Sequence, residues 1–134
     1  MLKKSEVLRD IRETLGSVPK FFEDIPESSI EQEWNLIKEL EFGETNIQNK
    51  YKELIGLGIA SAIHCPYCTI FHKEAAITYG ANEDEIEEAV HLAKHTVGWS
   101  SYLHGTEADM EQFKKDVNKV NDYVRGSMLK RKVA

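Results

Sequence analysis

Cysteine is almost absent from this chain. It has two, Cys65 and Cys68, three positions apart. There is no second Cys-x-x-Cys and no histidine pair at finger spacing, so a structural zinc site built on Cys65, Cys68, His72 and neighbouring His64 has no obvious fourth ligand. Long hydrophobic runs are missing too. The longest apolar stretch, Leu54 to Ile63, falls well short of the ~18 residues a membrane span needs. Met1-Leu2-Lys3-Lys4-Ser5-Glu6 has basic residues but no apolar run behind them, so no signal peptide is expected. Positive charge is in deficit: the formal net charge is −6, which argues against nucleic acid as the main partner. No segment repeats, none is of low complexity, and no nucleophile-elbow pattern supports serine hydrolysis. His91 and His95 enclose Leu92, Ala93 and Lys94, so the glutamate of a metalloprotease helix is lacking and the pair reads as a solvated flank.

What remains is an ordinary globular balance, 41% hydrophobic and 30% charged over 134 residues, enough for one domain with a real core. The pattern is helix after helix with no convincing strand, an all-α bundle of about six helices. Val7, Leu8, Ile11 and Leu15 predict a helix from Ser5 to Gly16. A short turn then carries Phe21 and Phe22, which pack on the core or on a neighbouring subunit. Ser28 with Glu31 announces a second helix, closed by Gly43, with Ile30, Trp34, Ile37 and Glu41 on one face. Thr45 with Gln48 opens a third, to about His64, so apolar that it is expected to be the most buried. Gly56 and Gly58 inside it imply close approach of another helix. Asn82 with Glu85 and Thr106 with Asp109 open the last two, and the basic tail Lys130-Arg131-Lys132 is expected to fray.

The chemistry concentrates in Cys65-Pro66-Tyr67-Cys68-Thr69-Ile70-Phe71-His72. Proline is tolerated at the first helical position, so a helix starting at Pro66 makes Cys65 its N-cap and puts Cys68 in the first turn. His72, four residues on, shares a face with Cys68. Unpaired N–H groups and the helix dipole favour thiolate there, and thiolate is the reactive form. A free thiol, with a pKa of about 8.5, is only a few per cent ionised at neutral pH. Making it mostly thiolate takes about 2.7 kcal/mol, against about 0.3–1 kcal/mol from a helix end. A second group has to help, and His72 is the nearest. If the helices flanking the Cys65 turn are antiparallel, Glu53 comes within about one helical turn, roughly 5.4 Å, of the level of His72. It then orients the imidazole; otherwise it is a surface glutamate. A Cys-x-x-Cys without a secretory signal favours a cytoplasmic redox pair over a structural disulfide. On this reading Cys68 attacks and Cys65 resolves the sulfenic acid to a disulfide, with the reverse assignment open.

Glu53, eleven residues, Cys65, two residues, Cys68, three residues, His72: this spacing resembles the active-site pattern of the alkyl hydroperoxidase D-like family, grouped with the carboxymuconolactone decarboxylases. The resemblance is strongest from about Lys50 to Gly98, within a core motif region 46–98. Gly16-Ser17-Val18-Pro19 and Phe21-Phe22 look like the lead-in of peroxidase-related members. The resemblance implies an all-helical domain over 1–134 whose protomers form homotrimers or homohexamers. It implies reduction of hydroperoxides or of a partner's disulfide without haem, flavin or metal. Electrons then come from an external dithiol such as a lipoyl or thioredoxin-like protein. Carried over by position, Cys65 and Cys68 are the redox pair, and Glu53 and His72 a proton relay. The chain departs from the pattern at Tyr67, where family members carry a second histidine; either the relay is shorter or Tyr67 supplies a supporting hydrogen bond. Two other readings stand beside this one: a helical oligomer that senses redox state or metal without turnover, and a decarboxylase-like enzyme using His72 as its acid–base group.

Overall fold

The computed structural model describes residues 2–133, with side chains described through Met128. Seven α-helices and no strand occur among the described residues. The chain divides into two compact units, residues 1–93 and 94–134.

The first unit begins with α1 (Lys4–Leu15), which starts one residue earlier than the Ser5 expected. The Glu6 carboxylate accepts the Lys3 N–H at 2.8 Å, and the helix stops at Gly16, in the left-handed region at φ +78. After Pro19 comes the short α2 (Lys20–Asp24), which splits the aromatic pair: Phe22 is buried and Phe21 is exposed. Next, α3 (Ile30–Leu36) continues into a wider, π-type segment, Ile37–Phe42. The capping box expected from Ser28 and Glu31 does not form. Ser29 occupies the cap without a side-chain bond, and Glu31 instead accepts the Leu2 N–H at 2.8 Å. Gly43 follows the segment because a Cβ there would lie 2.5 Å from the Glu39 carbonyl oxygen. Val7, Ile11, Phe22, Ile30 and Trp34 form the core of these elements. Trp34 donates its indole N–H to Asp10 Oδ2 at 2.7 Å, and Lys38 Nζ donates to the same oxygen at 2.7 Å.

Then α4 (Asn49–Ala62) starts later than Thr45 suggested: Gln48 is the cap, and the Thr45 hydroxyl turns to the Ile47 carbonyl instead. Only one side of α4 is covered. Glu53, Leu57 and Ala60 are buried, whereas Tyr51, Ile55, Ile59 and Ile63 stay about half exposed, so an almost wholly apolar sequence is not here a wholly buried helix. Against the covered side packs α5 (Pro66–Thr78), reached through a tight turn in which His64 takes φ +58 and the Cys65 N–H bonds the Ala60 carbonyl at 3.0 Å. Close approach of the two helices accounts for Gly56, where a Cβ would lie 2.5 Å from the His72 ring. It does not account for Gly58, where a Cβ would meet Ala89 and Ala93 at an ordinary 3.7 Å.

Gly80, at φ +88, turns the chain into α6 (Glu83–Gly105), which runs from the first unit into the second with Gly98 in its interior. Its capping box forms as expected: the Asn82 side chain accepts the Glu85 N–H at 2.8 Å, and Glu85 accepts the Asn82 N–H at 3.0 Å. Glu85 also pairs with Lys50 of α4 at 2.7 Å. In the second unit, His95 and Trp99 are exposed and joined, the indole N–H donating to His95 Nε2 at 2.8 Å. The final helix, α7 (Met110–Val133), is capped by Asp109, which accepts the Gln112 N–H at 2.6 Å; Thr106 bonds back into α6 and does not cap. Its backbone stays helical past Gly126 rather than fraying there, while the side chains of Lys130, Arg131 and Lys132 lie outside the described residues. No helix among the described residues is long and apolar enough to cross a membrane.

Candidate active site

Proline sets where α5 begins, and so where its free N–H groups point. Cys65, at φ −92 and ψ 106, is the cap, and its sulfur accepts the Cys68 N–H at 3.2 Å. The two sulfurs are 2.7 Å apart and both thiols are free and partly accessible. They need to close by only about 0.7 Å to reach the ~2.05 Å of a disulfide. The sulfur that receives the helix N–H is thus Cys65, not the Cys68 that first-turn position alone suggested. Bonds from the Cys68 thiol and from the Cys68 N–H hold Cys65 below the ordinary thiol range. Cys68 is held above it, first by its bond to the Cys65 sulfur, then by burial and by the nearby charges of Cys65 and Glu41. In direct contact, the two thiols influence each other's ionisation.

Antiparallel packing of α4 and α5 brings Glu53 and His72 together. His72 Nδ1 and Glu53 Oε2 are 2.7 Å apart, and Glu53 is 1% exposed, so it is no surface glutamate. A carboxylate only accepts, so Nδ1 carries a proton, and in the neutral ring Nε2 is then the acceptor. The ring lies where a Cβ on Gly56 would be, so any side chain there would displace it. Phe71 meets His72 edge to face, with ring centroids 5.1 Å apart.

Cys68 and His72 line a cleft of about 410 Å³, walled by Phe21, Phe22, Phe42 and Phe71. Tyr67 lines it too, but is 84% exposed, and no hydrogen bond to its hydroxyl is found among the described residues. A further acid group faces the same space. Glu41, from the π-type segment, lines the cleft, and burial pushes its carboxyl above the ordinary range; the His72 charge opposes that rise and the Glu53 charge adds to it. Sequence reasoning placed Glu41 on the Ile30–Trp34–Ile37 stripe without marking it as functional. Its signal was available: a carboxylate at a position that helical spacing assigns to the inward face. No three or more His, Cys, Asp or Glu side chains among the described residues, those of this site included, are arranged to hold a metal ion.

A paired dithiol at a helix N-terminus thus stands beside a buried carboxylate–imidazole pair on an all-α scaffold. The sequence profile of the carboxymuconolactone decarboxylase family matches residues 31–109, and the chain belongs to that family. A protein of Paracoccus denitrificans, named uncharacterized protein 4 in cox locus, is 26% identical over 81 residues, 60% of this chain and 73% of that protein. The crystal structure of the alkylhydroperoxidase AhpD core from Rhodospirillum rubrum has the same fold. It matches with a TM-score of 0.72 at 23% identity, over 82% of this chain and 85% of that one.

Proposed function

We propose that the protein is a thiol-dependent oxidoreductase that reduces organic hydroperoxides, or the disulfide of a partner, at Cys65 and Cys68. One observation carries the reading: the two sulfurs lie 2.7 Å apart, and the cleft-lining one, Cys68, shares that cleft with an imidazole whose Nδ1 is held by buried Glu53. In the peroxide half-reaction, Nε2 of His72 takes the Cys68 proton. The Cys68 thiolate attacks the terminal oxygen of the hydroperoxide; an S–O bond forms, the O–O bond breaks, and the departing alkoxide takes a proton from solvent or a nearby acid and leaves as the alcohol. Cys65, already favoured as thiolate, then displaces the hydroxyl from the Cys68 sulfenic acid, and His72 returns its proton to make water. An external dithiol of the lipoyl or thioredoxin-like kind reduces the disulfide. Tyr67, open to solvent, is a supporting contact for substrate or donor. The cytoplasmic setting and the homotrimeric or homohexameric assembly belong to the same proposal, the latter supported by the half-exposed apolar side of α4.

The test is steady-state consumption of cumene hydroperoxide with dihydrolipoamide as reductant. Cys68→Ser is expected to reduce turnover to background and Cys65→Ser to stop it after one equivalent. Full activity on a carboxylated substrate in the double serine variant would replace this reading with a decarboxylase-like one. Stoichiometric rather than catalytic consumption in the wild type would replace it with redox sensing.

A further inference from the structure

We infer that Glu41 is a further catalytic residue, the general acid that protonates the oxygen leaving from the peroxide, facing the His72–Glu53 pair that acts as base. This rests on the hydroperoxide reading above. Glu41 stands on the π-type segment, and Cys68 and His72 on α5, yet all three line one cleft. The segment fixes its level: it closes at Gly43, where no side chain fits over the Glu39 carbonyl.

The Glu41 carboxyl has no ion-pair or hydrogen-bond partner among the described residues, in a cleft walled chiefly by aromatic rings. Such surroundings favour the neutral form of a carboxyl and raise its pKa above the ordinary range. Glu53, by contrast, is paired with His72. Two carboxyl groups in unlike environments thus divide the work of base and acid, a recurring arrangement for acid–base chemistry at neutral pH. Protonation of Glu41 also suits the nucleophile, because the charged carboxylate opposes ionisation of Cys68.

The step balances. As the S–O bond forms and the O–O bond breaks, sulfur is oxidised by two electrons and the peroxide is reduced. The departing alkoxide takes the Glu41 proton and leaves as alcohol, and Glu41 regains a proton from solvent. Without the acid, an alkoxide must depart unprotonated or wait for water. The requirement therefore depends on the basicity of the leaving group.

The experiment compares tert-butyl hydroperoxide, whose leaving group is a strong base, with peracetic acid, whose leaving carboxylate needs no proton. In Glu41→Gln, kcat/KM for tert-butyl hydroperoxide is expected to fall about 100-fold, with loss of the alkaline limb of the wild-type pH profile. Peracetic acid reduction and the alkylation rate of Cys68 are expected to hold, and Glu41→Asp to keep part of the lost rate. Equal slowing of both peroxides would make Glu41 a structural residue and overturn the inference, as would an unchanged rate on tert-butyl hydroperoxide. A wild type inactive on both peroxides would overturn the underlying hydroperoxide reading, and the inference with it.

Discussion

A Cβ on Gly56 would lie 2.5 Å from the ring of His72, and the atoms it meets are the imidazole's own carbons and Nδ1. The glycine in α4 is therefore a condition for the placement of the histidine in α5. Gly56→Ala gains up to about 1 kcal/mol of helix propensity against about 1–3 kcal/mol of overpacking, so the melting temperature is expected to fall modestly. Displacing the ring pulls Nδ1 from Glu53, and misplacement on this scale costs about 100-fold in rate. Thermal melting and peroxide turnover measured side by side check this; a rate that tracks only the lost stability would show that the ring adapts.

Glu53→Gln keeps the volume of the buried side chain and removes its charge. A neutral amide can present its nitrogen to Nδ1, which allows the other tautomer and takes the acceptor away from Nε2. The apparent pKa for peroxide reduction is expected to rise and the rate at neutral pH to fall by roughly 100-fold. The pH–rate profile is the readout, and a profile superimposable on that of the wild type would remove Glu53 from the proton relay.

The same capping signature occurs four times in this chain with different outcomes, which shows how far local reading reaches; Thr106, for one, bonds back into α6 and leaves the cap to Asp109. Asn82 and Glu85 close their box because neither has a competing backbone partner nearby. Glu31 is drawn off by the Leu2 N–H, 29 residues away, and Thr45 by the Ile47 carbonyl, so those helices start elsewhere. The dithiol helix was legible because Pro66 permits so few alternatives. The Glu53–His72 contact followed from a hairpin register that Gly56 makes tight. Glu41 was not legible as part of the site, because its place depends on where the α3 continuation lies relative to α5. That is set by the core around Trp34, Ile11 and Ile30 and by no local pattern.

That core has its own electrostatic dependence. Asp10 accepts from both Lys38 and Trp34, and these bonds hold its carboxyl below the ordinary range. A depressed folded value means that the stabilisation is fully present above the unfolded pKa of about 3.9 and is lost as pH falls below it toward the folded value. Half-exposed as it is, the Lys38 pair itself is worth only about 0.2–1 kcal/mol. The larger effect is on Trp34, 1% exposed, whose indole N–H loses its acceptor in Asp10→Ala at about 1–3 kcal/mol. Urea unfolding at pH 7 is expected to show that loss, and Asp10→Asn to flatten the acid limb of stability. An unaltered acid limb in Asp10→Asn would assign the pH dependence to another group.

Cys65 and Cys68 have unequal roles, and removing either sulfur separates them. The largest influence raising the Cys68 thiol is its bond to the Cys65 sulfur. Cys65→Ser replaces that sulfur with a neutral hydroxyl, so the Cys68 pKa is expected to drop back toward the ordinary thiol range and Cys68, then the one thiol left, to be alkylated faster at neutral pH than it is in the wild type. In the wild type, rapid alkylation at low pH followed by peptide mapping is expected to label Cys65 first, because its bonds from the Cys68 thiol and N–H favour its thiolate. Labelling of Cys65 first together with loss of the first peroxide turnover only in Cys68→Ser would mean that the better thiolate is the resolving sulfur. The attacking one would then be chosen by its place in the cleft and not by its acidity. Retention of that first turnover in Cys68→Ser would reverse the assignment and make the N-cap sulfur the nucleophile.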